Sequence, residues 1–308
     1  MSGIISTESA ESVVSRARPS TWDRVRRNPS VLAGAIMVMI IALIGPVAPL
    51  LTSLDPTEIN PGNRNKPPGH ASYIRDDDGN KIPVVAVMGT DSLGRDVYTR
   101  VVYGARVSLI VGISVALISV TVGLFIGLVS GYFRSVDAIV MRIMDGLMAM
   151  PAILLAIALV SLSGASLLTV VVAIAIPEVP RVVRLVRSIV LSIREEPYVE
   201  AAISVGTPTP KILWRHVLPN TVAPLIVQGT FICGSAILLE AILSFLGLGI
   251  PPETPTWGNI MAEGRDLFQI YPHSIFYPGV LLTLTVLAIN MLGDGLRDTI
   301  DPRMSKQI

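Results

Sequence analysis

Three carboxylates stand inside otherwise apolar stretches of this 308-residue sequence: Asp145, Glu178 and Glu240. A charge at membrane depth is costly, so such residues mark proton relays, solute contacts or structural pairs. Asp145 follows Arg142 by three positions, and the two are expected to pair on one helix face. Glu178 lies between Pro177 and Pro180, where a broken backbone can line a cavity and offer a solute contact. Glu240 is expected to bond a neighbouring helix. Together they are the pathway candidates, and a proton-coupled secondary transporter working through them is the rival reading. Other chemistry is sparse. No G-x-x-x-x-G-K-[ST] loop exists to cradle a nucleotide's phosphates, and no H-E-x-x-H pair exists to hold catalytic zinc. His70, His216 and His273 are scattered, and no nucleophile–base constellation is present, which disfavours an intramembrane enzyme. The single cysteine, Cys233, lies in an apolar run and reads as a small core residue. Asp76-Asp77-Asp78-Gly79-Asn80 lacks the alternation of a calcium loop and has Val87 at the twelfth position, so it reads as a solvated turn.

The stretch 191–218 is polar but patterned. Pro197 suits the first turn of a helix and Gly206 its left-handed end. Thr209 is expected to cap a second short helix with Pro210 at its first position. Tyr198, Ala201, Ala202 and Val205 recur at helical spacing, giving one apolar face that is small in its middle. Such a face suits close docking into a partner's groove, or an amphipathic hairpin resting on the membrane.

The elements that must position these residues are membrane helices. Residues are 51% hydrophobic and 15% charged, against the roughly 25% charge of ordinary soluble domains. A net charge of +1 gives no basic excess for nucleic acid. Apolar runs at 31–51, 105–129, 138–162, 166–190, 219–246 and 275–293 each approach the roughly 20 residues needed to span a bilayer. The expected fold is all-α and polytopic with six transmembrane helices. Residues 1–30 form a basic tail with an interfacial helix near Trp22. An external loop at 52–104, rich in turn residues, is expected to hold short hairpins. A five-helix core follows at 105–293 and a tail at 294–308. The run 31–51 exceeds a signal-peptide core and lacks a cleavage pattern, so it reads as an uncleaved span. With the N-terminus inside, sixteen of the 24 Lys and Arg residues fall on the cytoplasmic side, so both termini are expected there. Gly123, Gly127 and Gly131 at four-residue spacing suit close helix contact, either within the chain or with a second subunit.

Several motifs resemble one family. Glu200-Ala201-Ala202, then Gly206 and Leu218-Pro219, is similar to the loop of binding-protein-dependent ABC importer permeases. Gly89-Thr90-Asp91-Ser92-Leu93-Gly94-Arg95-Asp96, Pro255-Thr256-Trp257-Gly258-Asn259 and Asn290-Met291-Leu292-Gly293-Asp294 resemble the second permease of dipeptide, oligopeptide and nickel importers. The likeness runs from about residue 20 to 303 and is least typical at 57–87. It implies a type I importer permease in the bacterial inner membrane, with 191–218 as the coupling loop. Tyr198, Glu200, Ala201, Ala202, Gly206, Lys211, His216, Leu218 and Pro219 would then meet the ATPase. Implied partners are a homologous permease, one or two ABC ATPase subunits and an external binding protein. The chain itself would bind no cofactor, since ATP and magnesium serve the ATPases. Peptide is the expected cargo, with nickel or another small solute as the alternative.

Overall fold

The computed structural model describes residues 25–75 and 81–300. The expected interfacial helix near Trp22, the aspartate turn at 76–80 and the extreme C-terminal tail lie outside them. After a helical turn at 25–27, Asn28 caps α1 (Pro29–Leu51), its side chain accepting from the Ser30 and Val31 amides. The expected hairpin in the external loop is β1 (His70–Arg75) paired antiparallel with β2 (Lys81–Ala86), His70 opposite Ala86. Asp96 caps α2 (Val97–Tyr132), whose 36 residues reach ~54 Å at 1.5 Å each. Next come α3 (Arg134–Met148), α4 (Ala152–Ser163) and α5 (Leu167–Arg194). The polar stretch holds α6 (Pro197–Ser204) and α7 (Thr209–Ile212), then a π turn (Leu213–Val217). The chain ends with α8 (Leu218–Phe245), α9 (Trp257–Gly264) and α10 (His273–Ile300).

Helix α2 is the hub. On one side its glycines let α5 approach: a Cβ on Gly123 would sit 2.5 Å from the Val182 Cβ, and one on Gly127 2.7 Å from that of Val186. Gly131 meets Val190 in the same way, so the glycine ladder serves packing within this chain. Val111, Val115, Ile174, Val182, Val186 and Leu243 bury together in that half. A second core joins α1, α2, α8, α9 and α10 through Ile41, Val101, Ile237, Trp257, Ile260 and Ile289. Outward, Met39, Leu117 and Phe125 are exposed, an apolar surface suited to lipid rather than water.

Four described helices are long and apolar enough to span: α1, α2, the continuous run 209–245, and α10. The expected span 138–162 is broken, though its two pieces together are long and apolar enough to count as one. It is not one helix but α3 and α4, bent by 89°. Pro151 lacks the amide that would continue the helix, and its ring clashes with the preceding turn. Helix α5 has the length of a span, at 28 residues, but carries Glu178, Arg181, Arg184 and Arg187 in its middle.

Candidate functional site: the polar loop, the mid-helix cavity and the external cap

At one end of the bundle lies α6. Pro197 occupies its first turn, as expected. Gly206 has φ +76°, its amide donating to the Ile203 carbonyl and that of Thr207 to Ala202. These two bonds are the Schellman pattern, which glycine adopts without strain. Val199 is fully buried and ties α6 to the core that includes Ile212 and Val217. The opposite face is open: Tyr198 and Ala201 are exposed, Ala202 is half-buried, and Val205 is 83% exposed. Tyr198 and Val205 expose apolar surface together on one face, which marks it as uncovered. Tyr198 and His216 stack at a tilt with ring centroids 5.8 Å apart, so α6 and the π turn share one surface. Lys211 and Pro219 are exposed beside it, and Leu218 is half-buried. Trp214, which the sequence reading did not single out, is 75% exposed on the π turn. Its signal was available: a large aromatic in a polar stretch outside the expected spans. Glu200 instead borders a polar cleft of about 510 Å³ with Arg134, Asp137, Arg187 and Arg194.

The second short helix departs from expectation. Pro208, not Thr209, is the capping position, and no side chain caps it. Nor is that helix separate: 209–245 runs on through the π turn into α8. Pro219 explains the widened turn, because it has no amide for the carbonyl four residues back and its ring crowds that group. The Leu218 amide reaches back five residues to Leu213, and the Asn220 side-chain amide donates to the His216 carbonyl at 2.6 Å.

The three membrane carboxylates are not brought together. Asp145 pairs with Arg184 of α5 at 2.6 Å, not with Arg142 as expected. Helix α5 lies alongside α3 and presents arginines end-on: Arg187 likewise forks onto Asp137 at 2.5 and 2.6 Å. Glu240 is fully enclosed and accepts from Ser244, one turn along its own helix, at 2.7 Å. The Thr256 hydroxyl at the cap of α9 also faces its carboxylate, in line with the expected bond to a neighbouring helix, beside the local one. Glu178 lines a cavity of about 310 Å³ between α5, α8 and α10. Arg181 donates to both its carboxylate oxygens, at 3.1 and 3.2 Å.

At the other end lies an ion cluster that the sequence did not disclose. Asp91 accepts from Arg95 Nε at 2.7 Å and from Arg100 at 2.6 Å, all three residues being buried. Both arginines also bond Glu263 of α9. The Trp257 indole donates to the Val101 carbonyl at 3.0 Å, and the His273 ring bonds the Thr90 carbonyl at 3.0 Å. A Cβ on Gly94 (φ +81°) would strike the Asn60 carbonyl, which fixes glycine at this turn. Burial pushes the nearby Asp96 carboxyl above its ordinary range, against the lowering effect of its bonds from Thr99. These contacts fasten the loop before α2 to α9 and the start of α10.

Comparison with known proteins finds the following. Residues 119–306 match the family described as "Binding-protein-dependent transport system inner membrane component". Residues 20–68 match the "N-terminal TM domain of oligopeptide transport permease C". The probable peptide ABC transporter permease protein y4tQ of Sinorhizobium fredii is 47% identical over 282 residues, 92% of each chain. The dipeptide transport system permease protein DppC of Alkalihalophilus pseudofirmus is 42% identical over 284 residues, covering 92% of this chain and 89% of that one. Among solved structures, an inward-facing MetNI methionine ABC transporter chain aligns with TM-score 0.51 at 19% identity. It covers 65% of this chain and 96% of its own length, a likeness of fold.

Proposed function

The chain belongs to the family of binding-protein-dependent transport system inner membrane components, and from that premise we propose that it is the second permease of an ABC importer for peptides. The peptide assignment is supported by the names of relatives that match over nine-tenths of their length or nearly so. In this reading the chain crosses the inner membrane six times, with α5 as a charged span and the α3–α4 pair as a bent one. Both termini are cytoplasmic, as is the end that carries α6. A homologous permease completes the pathway, an external binding protein delivers the solute, and one or two ATPases supply the energy. This chain catalyses no reaction; it converts the partners' closure into access.

The observation that carries the coupling role is the open face of α6 beside the Gly206 corner, backed by the buried Val199 anchor. A helix seated firmly on the bundle and bare on the other side transmits a push as a rigid body. Tyr198, Ala201, Ala202, Lys211, His216, Leu218 and Pro219 form or flank that surface, and small residues at its centre allow a close approach.

The test is purification of the tagged chain in mild detergent with mass spectrometry of what accompanies it. A second permease and one or two ATPases are expected. A stable monomer that transports solute without ATP would overturn the reading in favour of a proton-coupled transporter.

A further inference from the structure

The cavity between α5, α8 and α10 is lined by a membrane carboxylate, Glu178. At about 310 Å³ it falls at the lower end of the usual range for small-ligand pockets, roughly 300–1,000 Å³. Its polar lining is Glu178 and Arg181 from α5, Gln228 and Ser235 from α8, and Asn290 from α10. Glu178, Arg181, Gln228 and Asn290 fall near the middle of their helices, away from the helix ends. The Gln228 and Asn290 amides make no hydrogen bond among the described residues. Unpaired amides and a salt-bridged pair do not face lipid without cost, so the cavity they line suits water or a polar solute.

The ion pair here differs from the others on α5. Arg184–Asp145 and Arg187–Asp137 join α5 to α3, as structural staples do. Glu178 and Arg181 sit three residues apart on the same helix and join no two elements. The carboxylate is buried while the guanidinium is 54% exposed toward the cavity.

We propose that this cavity receives the oppositely charged ends of a zwitterionic solute, a short peptide, in transit. Arg181 takes the carboxylate and Glu178 takes the ammonium group. The proposal rests on the reading of the chain as a permease subunit and names the solute chemistry of its pathway. Empty, the pair satisfies itself and the cavity carries no uncompensated charge. A zwitterion exchanges that one pair for two without changing the net charge, which avoids the cost of a lone buried ion. A metal dication would meet the Arg181 guanidinium beside the single carboxylate, and a simple anion would meet Glu178. The planar fork of arginine suits a carboxylate, and the two free amides offer donors and acceptors for a peptide bond.

The experiment uses the whole detergent-solubilised complex with Cys233→Ala and Ser235→Cys, which place one thiol on the cavity wall and leave the ion pair intact. Labelling by a small neutral maleimide is followed with and without the dipeptide Ala-Ala. Labelling should slow about tenfold at ten times the dissociation constant, as mass action requires. N-acetyl-Ala-Ala-amide, which has neither charge, should give no protection, and Glu178→Gln in the same background should label normally but lose the Ala-Ala effect. Labelling indifferent to Ala-Ala, equal protection by the blocked peptide, or protection that survives Glu178→Gln would each overturn the site. Failure of the parent chain to co-purify with ATPases would count against the permease reading instead.

Discussion

The energetics of this chain separate its ion pairs into two kinds. Asp91 is enclosed with Arg95 and Arg100, and charges taken from water leave a heavy debt when one partner goes. Replacing Asp91 with Asn is therefore expected to cost about 3–5 kcal/mol, the usual penalty for breaking a buried pair. Denaturant unfolding of the detergent-solubilised complex measures it, and a loss below about 1 kcal/mol would show that water reaches the cluster. Asp145→Asn is the contrast. Its pair with Arg184 is exposed at both ends, so the expected loss is at most about 1 kcal/mol. The sequence could not distinguish these cases. Asp145 was visible, but its partner lies 39 positions away rather than three. Glu263 was invisible as a partner because 163 residues separate it from Arg100. Spacing discloses neighbours on one helix and is silent about those brought together by folding.

At the scale of elements, glycines and prolines carried most of what was legible. Pro197 and Gly206 marked both ends of α6, because a missing amide and a left-handed backbone are local requirements. Gly206 offers a clean test. Nothing lies within 4 Å of a Cβ placed there, and aspartate tolerates the left-handed region better than most residues. Gly206→Asp should therefore leave insertion and assembly intact while abolishing uptake, through a charge placed at the docking corner. Normal uptake at normal expression would contradict the coupling role. Gly127→Leu acts elsewhere, forcing α2 away from Val186. It should cost about 1–3 kcal/mol by overpacking, read as a lower unfolding midpoint of the purified complex. Pro151 was equally visible, yet an apolar run spanning it concealed the break between α3 and α4. A proline bends some membrane helices and ends others, and its neighbours decide which. Likewise Pro219 hid a π turn rather than a boundary: the Leu218 amide reaches back five residues to Leu213 and the helix runs on to Phe245.

On the scale of the whole molecule, two ends of a helical bundle are built differently. One end is locked by the Asp91 cluster, the β1–β2 hairpin and α9; the other presents α6 and the π turn as an open surface. Between them lies the polar-lined cavity of about 310 Å³ walled by α5, α8 and α10. In the proposed function this division of labour makes a rigid lever: a firm frame and a bare handle, with the cavity between them. The handle is tested most directly by site-specific cross-linking in native membranes. With Cys233→Ala and Val205→Cys, the only thiol of the chain stands on the open face of α6. A short bifunctional thiol reagent should join it to an ATPase subunit, with a yield that changes when nucleotide closes the ATPases. A thiol that labels freely in a transporting complex, yet never cross-links to an ATPase, would contradict the coupling of this chain through α6.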